Sequence, residues 1–171
     1  MKLGSLEDLY VDQLKDLLDA EKQIIKALPK MAKATSSPEL QNAFQEHLEQ
    51  TRGQLQRLEQ IFEKSGRPAR GKKCKAMEGL IEEGKELMEE DAEEDVLNAG
   101  LIAAAQKVEH YEMAGYGCVR TYAEMLGDRE AANLLQQTLD EEKQTDEKLT
   151  QLAERLINVR AAEGDTVGSN R

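Results

Sequence analysis

Aromatic residues are scarce in this chain, 4% of 171, and it has only three prolines and two cysteines. Alanine, glutamate, leucine, lysine and glutamine fill the space instead, a composition that belongs to long helices and argues against a β-rich fold. Cys74 and Cys118 lie far apart with no CxxC spacing, which excludes a zinc ribbon or a redox pair and suits a reducing compartment. No apolar run approaches the roughly 18 residues of a membrane span, and Met1–Glu7 has no signal-peptide core. Basic residues are in deficit, 23 against 34 acidic, for a formal net charge of −11. That sign disfavours nucleic acid and anionic membrane surfaces as partners. The expectation is a soluble, cytoplasmic, all-α protein whose length allows one core without staples.

Apolar spacing of three and four predicts four long helices. The first, capped by Ser5 with Asp8 in the capping-box position, runs to about Ala34 on a stripe of Leu14, Leu17, Glu21, Ile24, Leu28 and Met31. Pro29 is expected to kink its last turns or end it early. Ser37 and Pro38 open the second, to about Lys64, on Leu40, Phe44, His47, Thr51, Leu55, Leu58 and Phe62. A turn-rich, basic stretch, Ser65–Lys73, follows. With no interleaved aromatic residue it reads as a solvated loop rather than a phosphate patch. Met77, Leu80, Ile81, Leu87 and Met88 then suggest a short helix interrupted at Gly79 and Gly84.

The third long helix spans about Ala92–Leu126, with Ile102, Ala105, Glu109, Glu112, Tyr116, Val119, Ala123 and Leu126 on its core face. Gly100, Gly115 and Gly117 reduce its propensity, which fits either a close approach by another helix, a second subunit's included, or a merely local weakness. Gly127-Asp128 stops it and caps the last helix, to about Asn158, on Leu135, Leu139, Glu142, Asp146, Leu149, Ala153 and Leu156. Two hairpins joined by a crossover of about 25 residues make a four-helix bundle of ferritin-like connectivity, with a short extra helix in the crossover. The bundle is one domain over residues 1–158, with 159–171 a flexible tail.

The stripes are interrupted by acids. Glu21, His47, Glu109, Glu112, Glu142 and Asp146 fall near the midpoints of their helices, on faces otherwise apolar. Midpoints of antiparallel helices lie at one level, so five carboxylates and an imidazole should converge in a dry core. Ionised and unpaired they would repel, and bound divalent cations would remove the conflict. Oxygen-rich ligation with one nitrogen suits iron or manganese better than zinc. The competing explanation is interhelical ion pairing to Lys107 or Lys143. His110 points off the stripe, and Tyr116, one turn from Glu112, reads either as a core tyrosine or as a phenol near the site.

The segments Leu9-Tyr10, Asp19–Gln23, His47–Thr51, Cys74–Met77, Lys107–Glu112, Glu141–Lys143 and Thr145-Asp146 resemble the YciE/YciF family of bacterial stress-associated, ferritin-like proteins, in order and spacing up to about Asn158. The resemblance implies homodimerisation and a carboxylate-bridged di-iron site like that of rubrerythrin. It places Glu21 on the first helix, Glu109 and Glu112 on the third and Glu142 on the fourth, with about two irons per chain, manganese being the alternative metal. One departure is plain: the wider superfamily's Glu-x-x-His is missing from both expected helices. His47 is followed by Gln50, and Glu142 by Asp146.

The function expected from these features is a di-iron carboxylate protein of stress response that reacts with dioxygen or peroxide, by iron oxidation or peroxide removal. The alternative is a non-catalytic homodimeric stress protein whose metal is structural or absent. Whether the chain is an enzyme, of oxidase or peroxidase type, stays open between them. A DNA-coating miniferritin fits the negative charge poorly.

Overall fold

The computed structural model describes residues 3–168, all of whose regular structure is helical. Helix α1 spans Leu6–Ala34, α2 Pro38–Lys64, α3 Lys75–Glu89, α4 Glu94–Met125 and α5 Arg129–Leu152; a π-helical turn at Ala153–Ile157 leads into α6, Asn158–Gly168. Local chemistry sets these ends. Ser5 Oγ accepts from Asp8 N at 3.0 Å, Asp8 reaches back to Gly4 N at 3.0 Å, and Asp128 Oδ1 accepts from Ala131 N at 3.0 Å. Helices α2 and α4 both end in a left-handed glycine, Gly66 (φ 66°) and Gly127 (φ 82°). Past each, the next residue's N–H returns to the helix: Arg67 to Phe62 O at 3.1 Å and Asp128 to Ala123 O at 2.9 Å.

Helix α1 pairs with α2 and α4 with α5, while α1 against α4 and α2 against α5 close the bundle. The partners Glu46–Lys148, Gln50–Thr145, Gln54–Glu142 and Lys64–Glu130 count in opposite directions, so α2 and α5 are antiparallel. Contacts along α1 trace the crossover: Arg67 meets Glu7 at 2.6 Å, Lys72 N donates to Lys15 O at 3.0 Å, and Cys74 N donates to Asp19 Oδ2 at 2.8 Å. The chain thus climbs to about the middle of α1, and α3 continues the crossover, packing over α1 and α4. At the top, Asn98 of α4 accepts the Thr35 hydroxyl at 2.7 Å and donates to Ser36 Oγ at 3.0 Å.

Several expectations change at the element ends. Pro29 does not end α1, which continues to Ala34. Pro29 is exposed, and a proline on the wet face leaves near water the carbonyl that loses its donor, that of Ile25 four residues earlier. Gly79 and Gly84 do not interrupt α3. Gly100 and Gly115 are explained within the chain: a Cβ at either position would come within 2.8 Å of Leu87 or Leu17 respectively, whereas Gly117 has open space around it. Leu126 is 41% exposed rather than core. The extra residue of the π turn brings Ile157 inward, leaving Leu156 half-buried. From Val159 onward, where a tail is expected, helix continues to Gly168; residues 169–171 lie outside the described ones.

The core is not continuous. One apolar lobe gathers Tyr10, Leu14, Leu18, Leu58, Phe62 and Val119, and the other Ile24, Leu28, Leu40, Phe44, Leu101 and Leu149. Between them lies a layer of buried polar side chains.

Candidate metal centre

Each long helix contributes to that layer: Glu21 from α1, His47 from α2, Glu109 and Glu112 from α4, and Glu142 from α5. All four glutamates are 0% exposed and His47 is 3%. One ligand atom from each of His47, Glu109, Glu112 and Glu142 can be chosen so that all lie within 4.8 Å of one another, a group able to hold a metal ion. His47 Nδ1 is 3.2 Å from Glu109 Oε1, and Nε2 is 3.9 Å from Glu142 Oε2.

Neither imidazole nitrogen has a hydrogen-bond partner, nor do Glu21 Oε2, both oxygens of Glu109, both of Glu112, or Glu142 Oε2. Buried polar atoms in a folded core are normally satisfied, so this many orphans facing one another need a shared partner. The ion-pair explanation does not supply one. Lys107 pairs with Glu83 at 2.8 Å, Lys143 is exposed, and among the described residues no lysine or arginine nitrogen comes within 4.0 Å of these four carboxylates. A divalent cation fits what remains: several carboxylate oxygens, one imidazole, no thiolate.

Electrostatics gives the same picture. Burial, reinforced by Glu142, holds the Glu21 carboxyl well above the usual carboxylate range, partly offset by the Tyr116 hydroxyl donating to Glu21 Oε1. Burial likewise raises Glu109, with Glu142, Asp146 and Glu21 adding to it, and Glu112, with Glu142, Glu21 and Glu109 adding. His47 is pushed down by burial and partly restored by Glu142. The glutamates therefore bind protons more readily in the folded than in the unfolded chain. Their protonated forms favour folding fully below the ordinary value of 4.5, and this contribution is lost as pH rises through the elevated folded values. The cation-free protein is expected to melt at least about 3 °C higher at pH 5 than at pH 8. Calorimetry across that range, with Glu112→Gln flattening the dependence, checks this; an unchanged slope in the variant would assign the effect to surface charge instead.

Asp146, one turn beyond Glu142, stands apart from the four-residue group. It is 21% exposed, lies 3.3 Å from His110 Nε2 and accepts from Gln106 Nε2 at 3.1 Å. His110 is 67% exposed, as its position off the stripe implies. Tyr116 is buried against Glu21, and Thr51 satisfies its hydroxyl on the His47 carbonyl at 2.8 Å. Gln54, which the sequence reading did not single out, donates to Glu142 Oε1 and, at 3.2 Å, to Glu141 Oε2. Arg57 binds Glu141 through both terminal nitrogens, bracing α2 against α5 beside the centre. The 47, 51, 54 spacing carried the signal for Gln54: a third polar residue on the same stripe.

No helix among the described residues is long and apolar enough to cross a membrane. Comparison with known proteins places the chain among relatives. The family described as "Domain of unknown function (DUF892)" matches residues 5–162. YciF of Escherichia coli is 51% identical over 162 residues, 94% of this chain and 98% of that protein. The crystal structure of the E. coli stress protein YciF superposes with a TM-score of 0.88 over 91% of this chain and 99% of that one. YcfI of Rhodopseudomonas palustris, described as a candidate structural protein, is 42% identical, with a TM-score of 0.85 over 87% of this chain and 95% of its own. A Xanthomonas campestris protein at 20% identity and a TM-score of 0.76 shares the fold. On this sequence and structural similarity the chain belongs to the DUF892 family and is a homologue of the stress protein YciF.

Proposed function

We propose that the polar layer is a di-iron or di-manganese carboxylate centre that reacts with dioxygen or peroxide during stress, oxidising ferrous iron or removing peroxide. The observation that carries this reading is the set of six buried carboxylate oxygens and two imidazole nitrogens that face one another without hydrogen-bond partners. Bound cations of this kind supply one-electron chemistry toward an oxidant. The chain's own residues do the rest. His47, Glu109, Glu112 and Glu142 hold the cations. Glu21, oriented by the Tyr116 hydroxyl, adds a carboxylate from α1. Asp146 is the outermost candidate, since its partners Gln106 and His110 leave it at the solvent edge. Gln54 fixes the Glu142 carboxylate by donating to one oxygen and leaving the other free. The two apolar lobes keep bulk water from the layer.

Cytoplasmic location and homodimerisation belong to the same reading. The competing one, a non-catalytic stress protein in which the cation only holds the bundle together, draws support from the structural description of YcfI. Reloading the protein with ferrous iron and adding oxygen or peroxide separates them. Oxidation should proceed with repeated turnover and a visible ferric absorption band, and Glu109→Gln should abolish both. Tight binding with no oxidation above that of free iron would favour the structural role.

A further inference from the structure

Helices α2 and α5 part beside the polar layer and leave a cavity of about 220 Å³ between them. Its floor is His47 and Leu149, both buried, and its mouth carries the exposed side chains of Glu46, Gln144 and Lys148. Glu46 and Lys148 pair with each other, so together they leave the mouth without net charge. Across the cleft the Thr145 hydroxyl donates to Gln50 Oε1 at 3.1 Å. Gln50 is one turn beyond His47 and Thr145 one turn beyond Glu142. This bond therefore stands next to the place where His47 Nε2 and Glu142 Oε2, both without hydrogen-bond partners, face each other at 3.9 Å. One turn further along α2, Gln54 and Arg57 tie the helix to Glu142 and Glu141 and close the cleft. The space has a cause in residue type. In ferritin-like di-iron bundles the third position after such a glutamate carries an imidazole that projects inward. Here it is Thr145, and with Ala43 on the α2 wall two short side chains leave the cleft unfilled.

We propose that this cleft is the entry by which hydrogen peroxide reaches the candidate centre, and that the Gln50–Thr145 hydrogen bond is its latch. The inference rests on the metal reading and narrows the oxidant to a small, neutral, hydrogen-bonding molecule. The amide and hydroxyl groups of Gln50, Gln144 and Thr145 can exchange bonds with a peroxide as it passes, so its hydration is replaced rather than stripped. An anion would meet four buried glutamates beyond the floor and a chain of net charge −11. Dioxygen makes no hydrogen bonds to such walls and gains nothing from them. His47 is 3% exposed, so the passage is shut as it stands. A neutral hydrogen bond of small net strength, open to exchange with water or peroxide at the cavity, is the element that can give way.

Mixing the ferrous-loaded, full-length protein with hydrogen peroxide tests this through a rate: one peroxide and two protons take an electron from each of two ferrous ions and leave two waters. Ala43→Leu, which fills the cavity, should slow this oxidation at least about tenfold and oxidation by dioxygen less than about twofold, with ferrous affinity within about twofold of wild type. The metal-free protein gives a readout independent of turnover. Deuterium exchange at the His47 ring carbon Cε1, followed by mass spectrometry with the exposed His110 as internal control, should slow at least about fivefold in Ala43→Leu. Thr145→Val, nearly isosteric but without the latch, should instead speed His47 exchange by about 2- to 10-fold and leave His110 unchanged, and it decides the case if Ala43→Leu does not fold. Normal ferrous binding with peroxide oxidation and His47 exchange unaltered in the variants overturns the passage and leaves the metal reading standing. Equal slowing of peroxide and dioxygen overturns the assignment of the oxidant. A protein that takes up no ferrous iron overturns the metal reading itself, and this inference with it.

Discussion

Glu112→Gln is expected to raise the melting temperature of the cation-free protein at pH 8 while weakening its hold on ferrous iron by about 100-fold. The two effects have one cause. Glu112 is fully buried, both its oxygens lack a hydrogen-bond partner, and Glu142, Glu21 and Glu109 all oppose its ionisation. Removing an uncompensated buried charge at nearly constant shape should stabilise the fold by about 1–3 kcal/mol, equivalent to about 2–12 °C in a chain of this size. The same change deletes a charged oxygen from the cation's surroundings. A surface or ion-paired glutamate gives the opposite sign for stability, so calorimetry beside a metal titration distinguishes the cases. A lower melting temperature with unchanged iron affinity would remove Glu112 from the centre.

Loading the wild-type protein should produce the second large effect. A cation that binds only the folded chain adds about 2.7 kcal/mol when present at 100 times its dissociation constant, or about 5–11 °C. Ferrous iron should bind more tightly than manganese in the same oxygen-rich site, in line with the general order of divalent affinities. Magnesium, which keeps its water and demands near-octahedral geometry, should shift the melting temperature by less than about 1 °C. Because burial raises Glu21, Glu109 and Glu112, cation binding must displace protons, and the stabilisation should shrink as pH falls from 8 toward 5. Differential scanning fluorimetry with each metal at both pH values checks this. An iron shift that is equally large in Glu109→Gln would place the binding elsewhere, on the acidic surface.

The bundle and its centre were legible for the same reason. Period alone identified the buried face of each helix, and an acid on that face cannot escape it: Glu21, Glu109, Glu112 and Glu142 are all fully buried where their stripes put them. His47 was legible on the same ground. Asp146 shares the stripe of Glu142 but is 21% exposed, with Gln106 and His110 beside its carboxylate. Period gives the face and not how deep a residue lies, which depends on the neighbouring helix. Gln54 continues the polar spacing of His47 and Thr51, but the partners of Gln54 and Arg57, Glu142 and Glu141, are on another helix, so the spacing marks the face and not the pairing. Helix ends were read well where a cap or left-handed glycine carried them, as at Ser5, Ser37 and Gly127. The end of α1 falls at Ala34 as its stripe implies, with Pro29 inside the helix, and the π turn at Ala153–Ile157 has no signal in residue type at all.

Metal content of the protein purified without chelators, set against that of Glu109→Gln/Glu112→Gln prepared in the same way, tests the central claim most directly. Elemental analysis should find about two irons or manganeses per wild-type chain and less than about 0.2 per variant chain, with both proteins folded. Equal metal in the two, or none in the wild type even after reloading with ferrous iron, would contradict the assignment of these buried carboxylates to a cation.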